Sequence, residues 1–316
     1  MQRKTLIRIG HKRKINMFIV RYRKIFFILS ALLLAGSIFA PFLVGYHLST
    51  DFLGGSILEV KYEGERPDQV LTQTRLEALN LGNFSLRPSG DLSYVLRARE
   101  ISPTEKSTVI SALSDGGKLK LTEERFNSVG PVVGESLKKK SYTAIGVVVF
   151  MIVLFVTFAF RKVSRPVASW KYGLATIIAL AHDVVIPTGV YIVAGYYFGW
   201  EIDLLFVTAL LAILGYSVHD TIVVFDRVRE HLRTNAEHGD REDFEVTVGK
   251  SLKETYGRSI NTSLTIFITL AALYLLGSDA TKSFAFILLI GVIVGTYSSI
   301  FLATPLLVTL EKLQKK

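Results

Sequence analysis

An ionisable side chain held in hydrocarbon costs about 2.5 to 3.5 kcal/mol even on the most lenient insertion scale, so each one found there demands a partner or a function. This sequence places several inside long apolar runs. Asp220 lies in Gly215-Tyr216-Ser217-Val218-His219-Asp220-Thr221, six positions before Asp226 and therefore about 9 Å into its run at about 1.5 Å per residue. Asp183, in Ala181-His182-Asp183, stands about a dozen residues in from Lys171, near the middle of another run. A third run opens at Arg258 and continues through Asn261, Thr262, Thr265 and Thr269. Arg258, Thr262, Thr265 and Thr269 follow helical spacing, which predicts one polar face on an otherwise apolar helix.

Asp220 and Arg258 enter from the same side of consecutive runs, at depths that differ by a turn or two, so they are expected to pair. Moving a guanidinium toward or away from such a carboxylate changes its proton affinity, which is the minimal equipment of a proton-driven machine. A static ion pair that fixes helix packing, or an arginine snorkelling to the interface, uses the same two residues. Both readings stay open on residue types alone. Asp220 with Ser217 and Thr221 also presents oxygen ligands of the kind a sodium ion takes. His182 and His219 are expected to serve as helix-to-helix hydrogen-bonding groups.

The elements that must position these residues are membrane spans. Half of the 316 residues are hydrophobic, and the apolar residues collect in charge-free stretches, the first from Ile25 to Tyr46. The others are Tyr142 to Phe160, Tyr172 to Trp200, Leu204 to Phe225, Ile260 to Gly277 and Phe284 to Leu310. About 20 apolar residues cross a bilayer as a helix. Six such runs leave too little polar sequence to cover them with protein, so lipid is the solvent.

The net charge of +10 comes from basic residues beside these runs rather than from an aromatic-studded folded module, so membrane topology explains it and no nucleic acid is expected. Residues 1–24 hold nine Lys and Arg and no acidic residue, which keeps that end in the cytoplasm. Arg161, Lys162, Arg165, Lys171, Arg227, Arg229, Arg233, Lys312, Lys315 and Lys316 then also fall inside, while Glu201, Asp203 and Asp279 fall outside. Lys138, Lys139 and Lys140, just outside the second helix, go against this rule, which weakens after a long translocated domain. The basic stretch before Arg21 is longer than anchoring requires, and attraction to anionic lipid or ribosomal RNA is the only role it suggests. A cleaved signal with Ala35 and Ser37 at its small-residue site is the lesser reading of the first run, which exceeds the usual signal core of about 7 to 15 residues. Cysteine is absent, so neither a disulfide framework nor a thiolate metal site is available.

The expected organisation is a cytoplasmic basic segment 1–24, a first span 25–47, an extracytoplasmic domain 48–140, a five-span region 141–310 with a cytoplasmic loop 226–257, and a cytoplasmic end 311–316. In the outer domain, Ser56 to Tyr62 alternates as a strand and Pro67 to Leu79 has helical spacing. Asn83 to Arg87 and Leu92 to Arg97 flank the turn Pro88-Ser89-Gly90. Ser102, Pro103 and Glu105 form a capping box opening a second helix, and Lys118 to Phe126 gives the last strand. The order is βαββαβ, a ferredoxin-like pattern. No nucleophile with a base, histidine cluster, metal set or phosphate loop accompanies it, so an enzyme is not expected, and no catalytic residue, metal or cofactor is assigned. Gly291, Gly295, Ser299 and Ala303 form a small-residue ridge for close helix packing in the last span.

The motifs resemble those of a known family. Asp51-Phe52-Leu53-Gly54-Gly55 looks like its Asp-Phe-x-Gly-Gly motif, and Val129-Gly130-Pro131-Val132-Val133-Gly134 like its Val-Gly-Pro motif. Ala179-Leu180-Ala181-His182-Asp183, the stretch Gly215 to Arg227, and Gly295 to Phe301 complete the set in order. Together they are similar to the SecF family of protein-export membrane subunits, over about Ile25 to Leu310. The resemblance implies half of a resistance-nodulation-division superfamily fold, with a SecD-like subunit as the other half. It further implies work with the SecYEG channel on unfolded preproteins, driven by the proton-motive force, in the bacterial cytoplasmic membrane. Asp220 and Arg258 match the proton-relay positions. Asp183, Ser217, Thr221, Asn261, Thr262 and Thr265 are expected to support them, and Asp51, Gly54, Gly55, Gly130, Pro131 and Gly134 to form the junctions through which the outer domain moves. The rival readings are a small-molecule exporter half of the same superfamily and an assembly factor that moves no ions.

Overall fold

The computed structural model describes residues 18–161, 167–240 and 242–314, which form two compact units. The basic residues before Phe18, together with Lys162, Arg165, Lys315 and Lys316, lie outside the described residues. One unit comprises Pro41–Val148 and Ile192–Ala209; the other comprises the described residues up to Ala40, Val149–Tyr191 and those from Leu210 onward.

In the first unit a short helix, α3 (Thr50–Leu53), precedes β1 (Gly55–Tyr62), α4 (Gln69–Glu77), β2 (Ser85–Ser89), β3 (Ser93–Ala98), α5 (Pro103–Leu113) and β4 (Leu121–Val129). The four strands form one antiparallel sheet in the order β2-β3-β1-β4, the ferredoxin-like arrangement expected of a βαββαβ chain. Leu58, Val60 and Tyr62 of β1, Tyr94 and Leu96 of β3, and Leu76, Val109 and Leu113 of the helices share one buried core. The period of two in the strands and of four in the helices turns these side chains to a common side. Tyr62 closes the bottom of it by donating to the Leu113 carbonyl at 3.0 Å.

Local chemistry moves several boundaries from their expected places. Asp68 caps α4 by accepting from the Leu71 amide at 3.0 Å, so the helix starts after Pro67 rather than on it. Pro88 and Ser89 belong to β2, where an edge position tolerates proline, and the reversal comes later, at Gly90 with φ +57°. Gly116 and Gly117, both at positive φ, hold the chain in its turn and delay β4, which then pairs with β1 as far as Gly55 opposite Val129. The capping box is present: Ser102 accepts from the Glu105 amide and Glu105 from the Ser102 amide. The Arg99 guanidinium, then the backbone and side chain of Ser102, hold the Glu105 carboxyl down to about 2.

The spans run through both units as α2 (Arg23–Val44), which follows the short α1 (Phe18–Arg21), then α6 (Pro131–Ala159), α7 (Ser169–Phe198), α8 (Leu204–His238), α9 (Phe244–Leu276), and α10 (Asp279–Tyr297) joined to α11 (Thr304–Gln314). The join is a π-helical turn, Ser298–Ala303. Six of these helical stretches are long and apolar enough to cross a membrane. Charge limits an apolar run but not a helix. Accordingly α6 begins at Pro131 and carries Lys138, Lys139 and Lys140 within it, and the expected loop 226–257 is mostly helix, with α8 reaching His238 and α9 starting at Phe244. Arg227–Glu230, Arg229–Asp226 and Arg233–Glu237 are ion pairs at helical spacing along that extension.

About half of the apolar window is buried in the chain itself in α7, α8 and the last span (56, 50 and 56%), whereas the windows of α2, α6 and α9 are only 11, 6 and 11% buried. Those three helices need lipid or another protein to cover them. The small-residue ridge meets α8 of this same chain: a Cβ on Gly291 would collide with Ile213, and one on Gly295 would press on Ser217 at 3.1 Å.

Candidate functional site

The helical unit has a polar centre built on Asp183. Its carboxylate is fully buried and accepts from Ser298 Oγ at 2.7 Å, from the Ser217 hydroxyl, and pairs with His182 Nδ1 at 2.9 Å. Thr221 and Ser299 hydroxyls lie 2.8 Å apart beside it. Three elements therefore meet there: α7 brings Asp183, α8 brings Ser217 and Thr221, and the π-helical turn brings Ser298 and Ser299. An α-helical turn presents consecutive residues about 100° apart; the wider π turn lets both serines face inward. Tyr297 stacks on the His182 ring at 5.9 Å and donates to the Phe26 carbonyl at 3.1 Å.

Asp220 sits apart from this cluster. It is 4% exposed, its Oδ2 has no hydrogen-bonding partner, and the α9 group that it faces is Ser259, whose buried hydroxyl is also unpartnered. Among the described residues no ion pair joins Asp220 to Arg258, so the expected pair is absent from this structure. The reason is helical phase. The buried stripe of α9 is Thr247, Ser251, Thr255, Ser259 and Ser263, every fourth residue, and Arg258 lies about 100° round the helix from Ser259. Arg258, Asn261, Thr262, Thr265 and Thr269 consequently line the exposed face of α9, with Thr265 and Thr269 donating back to carbonyls of their own helix.

The oxygen set suggested for sodium is not assembled either, since Ser217 is turned to Asp183 and Thr221 to Ser299. His182 hydrogen-bonds within its own helix to Asp183, while His219 is exposed and among the described residues makes no hydrogen bond. Ser298, Thr296 and Tyr216 lie in the motifs that carry the resemblance but have no expected role there, and Ser263 and Ser259 did not stand out in the sequence. Ser263 bonds to Tyr216 and to Thr296, each at 2.6 Å, tying α8, α9 and α10 together. The four-residue spacing of hydroxyls from Thr247 to Ser263 is the signal that would have found this stripe.

In the sheet unit the two junction motifs interlock. Gly54 has φ +76° and ψ 171°, a region open to glycine alone, and a Cβ there would lie 2.7 Å from Pro131 Cα. A Cβ on Gly134 would lie 2.9 Å from the Gly54 nitrogen, and one on Gly55 2.7 Å from the Ala98 carbonyl oxygen. Gly130 faces the Glu100 carboxylate. Asp51 accepts from Asn127 Nδ2 at 3.3 Å and from the Leu204 amide at 3.2 Å, so one carboxylate ties α3, β4 and the start of α8. Burial pushes the neighbouring Asp203 carboxyl up, against the pull of its 2.7 Å bond from the Phe206 amide. Arg97 of β3 forms an ion pair with Glu201. This junction is a close-packed clamp rather than a loose hinge. Gly54→Ala is expected to cost roughly 2 kcal/mol or more through backbone strain and collision with Pro131. A lowered thermal midpoint of the purified full chain, with Gly64→Ala as the unstrained control, checks it; equal midpoints would show the clamp to be dispensable.

The chain matches the family model described as "Protein export membrane protein SecD/SecF, C-terminal" over residues 108–313. It is 40% identical over 306 residues to the protein translocase subunit SecF of Thermobaculum terrenum, covering 93% of each chain. The SecF subunit of Anaerolinea thermophila is 34% identical over 92% of each. Among solved structures, the translocon-associated membrane protein SecDF from Thermus thermophilus superposes with a TM-score of 0.74 at 30% identity. That match covers 94% of this chain and 38% of the other, so the present chain spans well under half of that protein's length.

Proposed function

The chain belongs to the SecD/SecF family of protein export membrane proteins, and from that premise we propose that it is the SecF-like subunit of a SecD–SecF assembly that uses the proton-motive force to promote preprotein passage through a SecYEG channel. The observation that carries this reading is Asp220: a carboxyl buried on a membrane span, its Oδ2 without a hydrogen-bonding partner. A purely structural carboxylate is expected to look like Asp183, with its lone pairs filled. A group left open at one oxygen is suited to taking up and releasing a proton.

Coupling needs a second half. The exposed polar face of α9, from Arg258 to Thr269, is costly against lipid, and a SecD-like partner would cover it. Arg258 would then be recruited to Asp220 in another state of the cycle, and its departure on protonation would be the step that moves helices. The junction clamp ties the sheet domain to the start of α6, so motion of that helix would carry the domain with it. The basic flanks support a bacterial cytoplasmic membrane location with both termini inside.

Proton rather than sodium is favoured because the oxygen ligands a sodium ion would use around Asp220 are committed elsewhere. Liposomes holding this chain, its SecD-like partner and SecYEG separate the two when proton and sodium gradients are imposed singly. Completion of preprotein export is expected to accelerate under the proton gradient alone. Acceleration by sodium alone, or by neither ion, would refute the proposal.

A further inference from the structure

Beyond Asp220 along α8, side chains of α8 and α9 line a cleft of about 450 Å³. Val223 and Thr255 form its inner end, and Asp226, Glu230 and Glu254 line it together with Arg227 and Arg258. That end lies toward the Asp220 carboxyl, which does not itself line the cleft. Val223 is three residues along α8 from Asp220, and Thr255 is one turn before Ser259, the residue that Asp220 faces. The separation along either helix is thus about one turn, about 5 Å. From there outward the walls are charged. Arg227 donates to Glu254 at 2.5 Å and to Glu230 at 2.5 Å, and His231 Nε2 lies 3.0 Å from the same Glu254 oxygen. Asp226 is engaged only by Arg229, at 3.4 Å, among the ion pairs of the described residues.

We propose that this cleft is the port through which protons leave Asp220 for the cytoplasm, with Asp226, Glu230 and Glu254 as its carboxylate lining and Arg227 as the cation that holds the lining together. Three independent features support it. The cleft is large enough for several waters, a water taking about 30 Å³ of liquid volume. Its walls present three carboxylates, two guanidiniums and the Thr255 hydroxyl at the edge of the apolar runs. And it ends one turn from a buried carboxyl with an unfilled oxygen. In the transfer, the Asp220 carboxyl gives its proton to a water that enters past Val223 and Thr255 and becomes a carboxylate, and the proton passes along the cleft waters and leaves past the acidic lining. The acidic wall raises the local proton concentration and shortens the search for the exit. Arg258, standing in the same cleft, is the cation placed to follow the vacated charge.

This inference rests on the proton-driven reading above, and the test separates the two. The chain has no cysteine, so Val223→Cys and Thr255→Cys are unique thiols within it, with Leu264→Cys on the apolar exposed face of α9 as control. Inverted vesicles, cytoplasmic side out, carrying each variant with its partner are treated with a membrane-impermeant maleimide. The two cleft thiols are expected to react at least about tenfold faster than the control; rates equal to the control overturn the port. In reconstituted complexes a trapped pH dye then reads proton flux. Glu254→Gln and the pair Asp226→Asn with Glu230→Gln are each expected to slow Asp220-dependent flux several-fold. Flux that disappears with Asp220→Asn but ignores both cleft variants overturns the port alone. Flux that survives Asp220→Asn overturns the proton-driven reading, and the port with it.

Discussion

Complexes carrying Asp220→Asn are expected to export preprotein at the rate seen with no gradient imposed, while assembling and purifying as the parent does. The amide is isosteric and cannot cycle between neutral and charged forms. The group that Asp220 faces is the Ser259 hydroxyl, and an amide oxygen in the carboxylate's place can still accept from it. The fold therefore loses little. The measurement is completion of export in reconstituted liposomes with and without a proton gradient, alongside recovery of the intact complex. Parent-level stimulation in the variant would remove Asp220 from the coupling step; failure of the complex to assemble would make it structural. Arg258→Ala is a companion with the same expected loss of stimulation and an intact fold, since Arg258 makes no ion pair among the described residues.

Asp183 is expected to behave in the opposite way. Removing its carboxylate in Asp183→Ala takes the acceptor from Ser217 and His182 and leaves Ser298 only its bond to the Gly295 carbonyl, in a site where all four residues are no more than 1% exposed. Each buried polar group left unmatched costs about 1 to 3 kcal/mol, so two of them cost about 2 to 6 kcal/mol, a large share of the total stability of an ordinary domain. The chain is expected to be recovered poorly and to unfold well below the parent in a detergent thermal scan. Ser217→Ala removes one donor and spares the rest, so its shift should be several-fold smaller. A normal melting profile for Asp183→Ala would show that the cluster is not a structural knot. Two acidic residues on neighbouring spans are thus expected to take different parts, set by whether their oxygens are filled.

The contrast shows what residue spacing could and could not convey. Charge inside an apolar run singled out Asp220, Asp183 and Arg258 because the cost of burying charge is a property of the residue itself. The sheet domain was readable as βαββαβ because turns, caps and period-two alternation are local signals. Which way each polar side chain of α9 points was not local. A stripe through Arg258, Thr262, Thr265 and Thr269 and another through Thr255, Ser259 and Ser263 fit the same helix, and only the neighbouring spans decide which of the two is buried. The partners of Asp183 were hidden for a different reason: Ser298 faces it through a π-helical turn, and spacing rules built on 3.6 residues per turn cannot anticipate that phase. The loop expected at 226–257 failed because salt-bridged charge on a helix surface and charge in a loop have similar composition.

The widened turn at Ser298–Ala303 also sets where this polypeptide tolerates a change in length. Such a turn holds one residue more than the regular coil it interrupts. A sequence lacking one residue there could close to an ordinary turn, leaving Gly291 and Gly295 above it and Leu307 and Val308 below it aimed as before. The same loss anywhere else in the span would swing every later side chain by about 100° and expel Leu307 and Val308 from the cluster they fill. An alignment gap at this slot between lineages therefore keeps the packing on either side of it while turning one of the two serines away from the Asp183 cluster, and one placed a turn away keeps neither.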